Sequence, residues 1–177
     1  MPETEQRLRD ELYAAFKNRA LVYHHLYQEL KRDLGEERAA DLMKRGIYER
    51  GLTVGRRFAN VPRGDFRALK DAFVSNVPDG GAMFSPQVRR CDVGGLELKL
   101  TRCPLKEAWL ESGLPEGEVA KLCEIAAQVD YGTFEAAGYA VTVETWLPGR
   151  DGCCHLYISE EQDAKVAGAR TQNREET

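Results

Sequence analysis

The hydrophobic period of this chain is helical alone in its first part and mixed after it, and that change constrains the fold class. Up to about residue 76, apolar side chains recur every three, four or seven positions, the spacing of one helix face. From Val88 onward, stretches of strict alternation enter, the spacing of a strand with one buried side. Pro78-Asp79-Gly80-Gly81 stands between the two regimes, a run that breaks helix and strand alike.

In the first regime Leu8, Leu12, Phe16, Tyr23, Tyr27, Leu30 and Leu34 predict one long helix over 4–34, stopped by Gly35. Ala39, Leu42, Met43, Ile47, Val54 and Phe58 predict a second over 36–59. Gly46, Gly51 and Gly55 lie inside it, and each costs about 1 kcal/mol against alanine in a helix. Three together indicate a close helix–helix crossing, a kink or a break, or a backbone approach to a ligand. Asp65 or Gly64 can cap a short helix running to 76.

In the second regime Val88–Cys91 and Leu96–Thr101 flank Asp92-Val93-Gly94-Gly95, which reads as a hairpin. Pro104 suits the first turn of a helix over 104–112 that carries Trp109. A further helix is predicted over 116–131, then a strand from Tyr139 to Trp146 and a last one from Cys153 to Ser159. The last strand puts Cys154, Leu156 and Ile158 on one face and Cys153, His155 and Tyr157 on the other. The expectation is an α+β fold, a helical N-terminal half packed on a small, mostly antiparallel sheet. Residues 1–160 form a single domain in this reading and 161–177 a polar, frayed tail.

Composition narrows the function classes. The 177 residues carry a net charge of −4, which argues against a global nucleic-acid binder. No apolar run approaches the ~20 residues of a spanning helix, so no membrane partner is expected. The charged N-terminus lacks the apolar stretch of an export signal, and the cysteines number five, an odd count. A cytoplasmic location with reduced thiols follows as the expectation.

Four positions stand out chemically: Cys103, Cys123, Asp130 and Cys154. Cys103 falls at a strand-to-helix junction, where orphan N–H groups favour a thiolate. A small buried core residue is the competing reading. Cys123 and Asp130, seven apart on one predicted helix, lie about 10.5 Å apart along its axis. They cannot share one metal ion unless the helix breaks, for which Gly132 is a candidate. Asp130 then suits a general base or a substrate anchor, while Cys154 faces the sheet's inner side, away from His155. Cys91 and Cys153 read as structural, and His24 and His25 as packed or surface histidines. Arg45, Arg50, Arg56, Arg57 and Arg63 read as a solvated face, although a carboxylate-bearing ligand would want one of them.

Leu98-Lys99-Leu100-Thr101-Arg102-Cys103-Pro104-Leu105, Leu122-Cys123, Val129-Asp130 and Gly152-Cys153-Cys154-His155-Leu156 together resemble the L-2-amino-thiazoline-4-carboxylic acid hydrolase family. Arg45-Gly46-Ile47-Tyr48-Glu49-Arg50-Gly51 with Gly55 is similar to its N-terminal half, so the resemblance spans roughly residues 20–158. It implies hydrolysis of a C–N bond in a small cyclic amidine, water attacking the ring carbon between sulfur and nitrogen and the ring opening toward N-carbamoyl cysteine. Two versions stay open. In one, Cys103 is the nucleophile and Asp130 manages protons. In the other, Cys103, Cys123 and Cys154 hold a zinc ion that activates water. Trp109 is assigned to the small-molecule substrate in either. The last motif also resembles 4-vinyl reductase type small-molecule-binding domains, which are α+β and commonly pair. That implies the alternative of a non-catalytic binding or sensor domain, and a homodimer.

Overall fold

The computed structural model describes residues 2–160. The tail predicted at 161–177 lies outside them. Among the described residues six α-helices, two 3-10 turns and four strands follow in the order α1 (Pro2–Leu34), α2 (Glu36–Gly55), turn (Arg56–Phe58), α3 (Phe66–Ser75), turn (Asp79–Gly81), β1 (Pro86–Asp92), β2 (Gly95–Leu100), α4 (Pro104–Glu111), α5 (Glu116–Ala126), α6 (Gln128–Ala136), β3 (Tyr139–Glu144) and β4 (His155–Glu160). The α+β architecture with a helical N-terminal half is the one the change of period predicts. Among the described residues no helix is long and apolar enough to cross a membrane.

The punctuation works locally as the residue chemistry requires. Gly35 separates α1 from α2 at φ +81°, a conformation glycine adopts without steric penalty. The Asp65 carboxylate accepts from the Ala68 N–H at 2.9 Å and caps α3. Pro104 opens α4 with Cys103 as its extended N-cap. Asp92 pairs with Gly95 across the Val93-Gly94 turn of the β1–β2 hairpin.

The sheet is antiparallel throughout, in the order β1-β2-β4-β3. Leu98 pairs with Leu156 and Leu96 with Ile158 on the inner face, and all four are buried. Two apolar clusters result. One gathers α1, α2, α4 and α5 around Tyr27, Met43, Ile47, Trp109 and Leu122. The other packs Phe66 and Leu69 of α3 and Phe134 of α6 on the sheet. Phe84 and Cys103 pack against both.

Several boundaries depart from the sequence reading; the strand expected from Tyr139 to Trp146, for one, ends at Glu144. The second helix ends at Gly55 and tightens to a 3-10 turn. The helix expected over 116–131 is two helices, broken at Ala127, and the second continues to Ala136. The last strand starts at His155, so Cys153 and Cys154 precede it and strand alternation does not govern them.

The glycines explain where α6 lies. A Cβ on Gly51 would run into the Val129 carbonyl, one on Gly55 into the Thr133 carbonyl, and one on Gly132 into the Tyr48 carbonyl. Backbone meets backbone at the α2–α6 crossing, and the Thr133 hydroxyl lies 3.3 Å from the Gly51 carbonyl it donates to. This is the close-crossing alternative for Gly51 and Gly55. Gly132 belongs to the crossing and breaks nothing. Gly46 faces open space.

Candidate active site

A cavity of about 280 Å³ lies at the seam between the two clusters. Cys103, Trp109, Cys123, Asp130 and Cys154, the residues singled out in the sequence, all line it. That size is close to the lower end of small-molecule sites, and the walls are mostly apolar, as such sites are.

Cys103 reaches the cavity because the chain turns there from β2 into α4. The approach is pinned to Phe84 and Ser85: the Arg102 N–H donates to the Phe84 carbonyl at 3.2 Å and the Thr101 N–H to the Ser85 carbonyl at 3.3 Å. Opposite, the Cys153 N–H donates to the Leu100 carbonyl and the Leu100 N–H to the Cys154 carbonyl, each at 2.9 Å. These bonds extend the β2–β4 pairing past the strand and set residues 153 and 154 beside the start of α4. Gly152 makes the turn into this segment at φ +71°. Two lysines hold it. Lys106 donates to the Gly152 carbonyl at 2.7 Å and Lys99 to the Cys153 carbonyl at 2.8 Å.

The arrangement makes Cys153, which the sequence reading took as structural, a buried cavity-lining residue beside Cys103. Parity along a strand assigned it to the outer face, but it sits in the turn before the strand. The two sulfurs are not equivalent. Hydrogen bonding to Cys103, then the nearby Lys106 ammonium, draws the Cys153 thiol below its ordinary range. The same bond, then burial, pushes Cys103 well above it. The Lys106 backbone N–H, aimed at the Cys103 sulfur without closing a capping bond, opposes that rise only in part. The hydrogen bond between the two thiols therefore eases loss of one proton from the pair and resists loss of the second. Burial pushes Cys123 up to about 12 and Cys154 higher still, Asp130 adding to the latter, so both stay thiols at neutral pH.

Asp130 enters from the first turn of α6, beyond the break at Ala127. The break removes the premise of the 10.5 Å separation, which assumed one straight helix. Desolvation alone pushes its carboxyl up to about 7. It is half-buried by surface exposure, which agrees with a group facing the cavity and shut away from bulk water. Trp109 is fully buried, and its indole N–H donates to the Ala20 carbonyl at 2.7 Å. The ring therefore forms wall, and its polar atom is not available to a ligand.

The remaining candidates lie elsewhere. Cys91 sits on edge strand β1, away from the cavity, and His155 stacks on Tyr157 at 4.2 Å between ring centroids, on the outer face of the sheet. His24 meets Glu118 at 3.0 Å, joining α1 to α5. Among the described residues no three His, Cys, Asp or Glu side chains are placed to hold a metal ion.

Sequence reasoning passed over Lys106 as well as Cys153. The signal for Lys106 was its place three residues after an N-cap cysteine, where one helical turn returns a side chain toward the cap.

A family model described as L-2-amino-thiazoline-4-carboxylic acid hydrolase matches residues 15–157. Among curated proteins no relative matches.

Proposed function

The chain belongs to the L-2-amino-thiazoline-4-carboxylic acid hydrolase family, and from that premise we propose that its cavity opens a small cyclic amidine by thiolate attack. The observation that carries this reading is the meeting of a polarised thiol pair, Cys103 and Cys153, with the protonatable carboxyl of Asp130 on one enclosed surface.

The Cys153 sulfur adds to the ring carbon between sulfur and nitrogen, and the C=N π electrons go to nitrogen, which takes a proton. The tetrahedral adduct then expels the ring sulfur, which leaves as a thiol with a second proton. Water replaces Cys153 on the carbon, loses its protons and leaves a urea. The net change is substrate plus one water. Asp130, near half-protonated at neutrality, gives protons to the departing atoms and takes them from water. Cys103 holds the proton that keeps Cys153 anionic, and Lys106 balances the charge. This reading moves the nucleophile from Cys103 to its partner.

It also revises the bond expected to break. An N-carbamoyl product keeps the ring nitrogen on the attacked carbon, so the bond released is carbon–sulfur; C–N cleavage would give the S-carbamoyl isomer. A thiol-specific reagent separates the two, because only carbon–sulfur opening liberates a new thiol. With 2-aminothiazoline-4-carboxylate as substrate, Cys153→Ala and Asp130→Asn are each expected to lower kcat by roughly 10²–10⁴-fold. Turnover unchanged in both variants would overturn the assignment. Binding without turnover in the wild type would favour the small-molecule sensor. The same reading takes the chain to act as a homodimer, which light scattering measures.

A further inference from the structure

The ionisable side chains around the cavity are unbalanced in sign. The chain as a whole carries four more acidic than basic groups. The cavity reverses this: Arg19, Arg57 and Lys106 line it, against Asp130 as the one acid among the described lining residues. Lys106 is committed inside, to the Gly152 carbonyl and over the Trp146 ring at 5.5 Å. The two arginines are exposed, and they belong to different elements, α1 and the turn after α2. Arg19 sits over Phe16, its guanidinium carbon 4.5 Å from the ring centroid, a contact that holds the group in place without neutralising it. Among the described residues Arg57 forms no ion pair and no side-chain hydrogen bond. Most arginines on α1 and β1, by contrast, have acidic or amide partners, as Arg9 does with Asp79 and Arg90 with Glu97.

An apolar interior with unneutralised guanidinium forks at its rim selects a ligand of matching polarity. We infer that Arg57, assisted by Arg19, is the carboxylate-recognition element of the cavity. Its ligand is a small ring whose single carboxylate stays at the rim while the uncharged end enters. A guanidinium fork matches a carboxylate in two parallel hydrogen bonds, and the apolar walls next to it weaken competition from water. This end-on order carries the ring toward Cys103, Cys153 and Asp130. The inference rests on the catalytic reading of the cavity for its orientation, and on Arg57 and Arg19 alone for its chemistry.

The test uses two thiol alkylators of similar size, anionic iodoacetate and neutral iodoacetamide, on the intact protein. In each, the thiolate displaces iodide from carbon. Labelling rates are read cysteine by cysteine from peptide masses, with Cys91, which lies outside the cavity, as internal reference. In wild type the iodoacetate-to-iodoacetamide ratio at the cavity cysteines should exceed that at Cys91 by roughly tenfold, the worth of one charge-assisted hydrogen bond. Arg57→Ala should remove most of the excess, Arg57→Glu should invert it, and Arg57→Lys should retain part. Equal ratios at both places overturn the inference, as does an excess that survives Arg57→Glu. Failure of both reagents to reach any cavity cysteine while Cys91 is fully labelled overturns it too. Ring opening of 2-aminothiazoline-4-carboxylate is assayed separately on the same variants. A labelling contrast without ring opening leaves the carboxylate site standing and removes the hydrolase reading; ring opening with a KM indifferent to Arg57→Glu does the reverse.

Discussion

Asp130 is a carboxyl that the fold makes hard to ionise, and that has two measurable consequences. Its pKa rises from 3.8 to about 7, so between those values the folded chain binds more protons than the unfolded one. The contribution of Asp130 to stability is therefore highest below about pH 4, falls as the pH rises through the interval and levels off above 7. Asp130→Asn should flatten this slope and raise Tm at pH 8 relative to wild type, which calorimetry at the two ends of the range would check. In the proposed reaction Cys153 must be ionised, which sets an acid limb of the activity profile, and protonated Asp130 is the donor, which sets an alkaline limb near pH 7. The alkaline limb should vanish from the residual activity of Asp130→Asn. Cys103, Asp130 and Cys154 were legible in the sequence because residue type and motif order marked them. Cys153 and Lys106 were not. One sits in an irregular turn where parity means nothing, and the other acts through a neighbour 47 positions away, a proximity only the folded chain creates.

At the scale of elements, the crossing of α2 and α6 decides where the carboxyl points. Gly51, Gly55 and Gly132 let two backbones meet, and a methyl group at Gly132 would strike the Tyr48 carbonyl. Gly132→Ala should therefore destabilise by about 1–3 kcal/mol or more, because backbone cannot yield as a side chain does. A fall in Tm of roughly 5 °C or more should accompany it. Gly46→Ala, on α2 but facing open space, should stabilise by about 0.5–1 kcal/mol through helix propensity alone. A matched pair of melting curves reads both. The glycines of α2 announced a crossing, but their partner was out of reach of periodicity. Val119, Leu122, Ala126 and Val129 keep helical spacing straight through the break at Ala127, because adjoining helices that share a core present their apolar residues at nearly the same steps.

At the scale of the whole molecule, two apolar bodies share one chain. The helical cluster and the sheet cluster are each closed by their own side chains, and Phe84 and Cys103 belong to both. Change of period predicted the two bodies; how each one closes depends on contacts far apart in sequence, such as Trp109 with Ala20 inside the helical cluster. Trp109→Phe removes that bond and shrinks a fully buried side chain, and should cost about 1–3 kcal/mol, measured by denaturant titration. Because the cavity lies on the seam, whatever fills it touches both bodies and mortars them together. Saturation at a hundredfold over Kd adds about 2.7 kcal/mol, or roughly 5–10 °C for a chain of this size. Heat resistance thus becomes a gauge of occupancy, and a melting screen over ring-shaped acids can find the natural guest before any turnover is assayed.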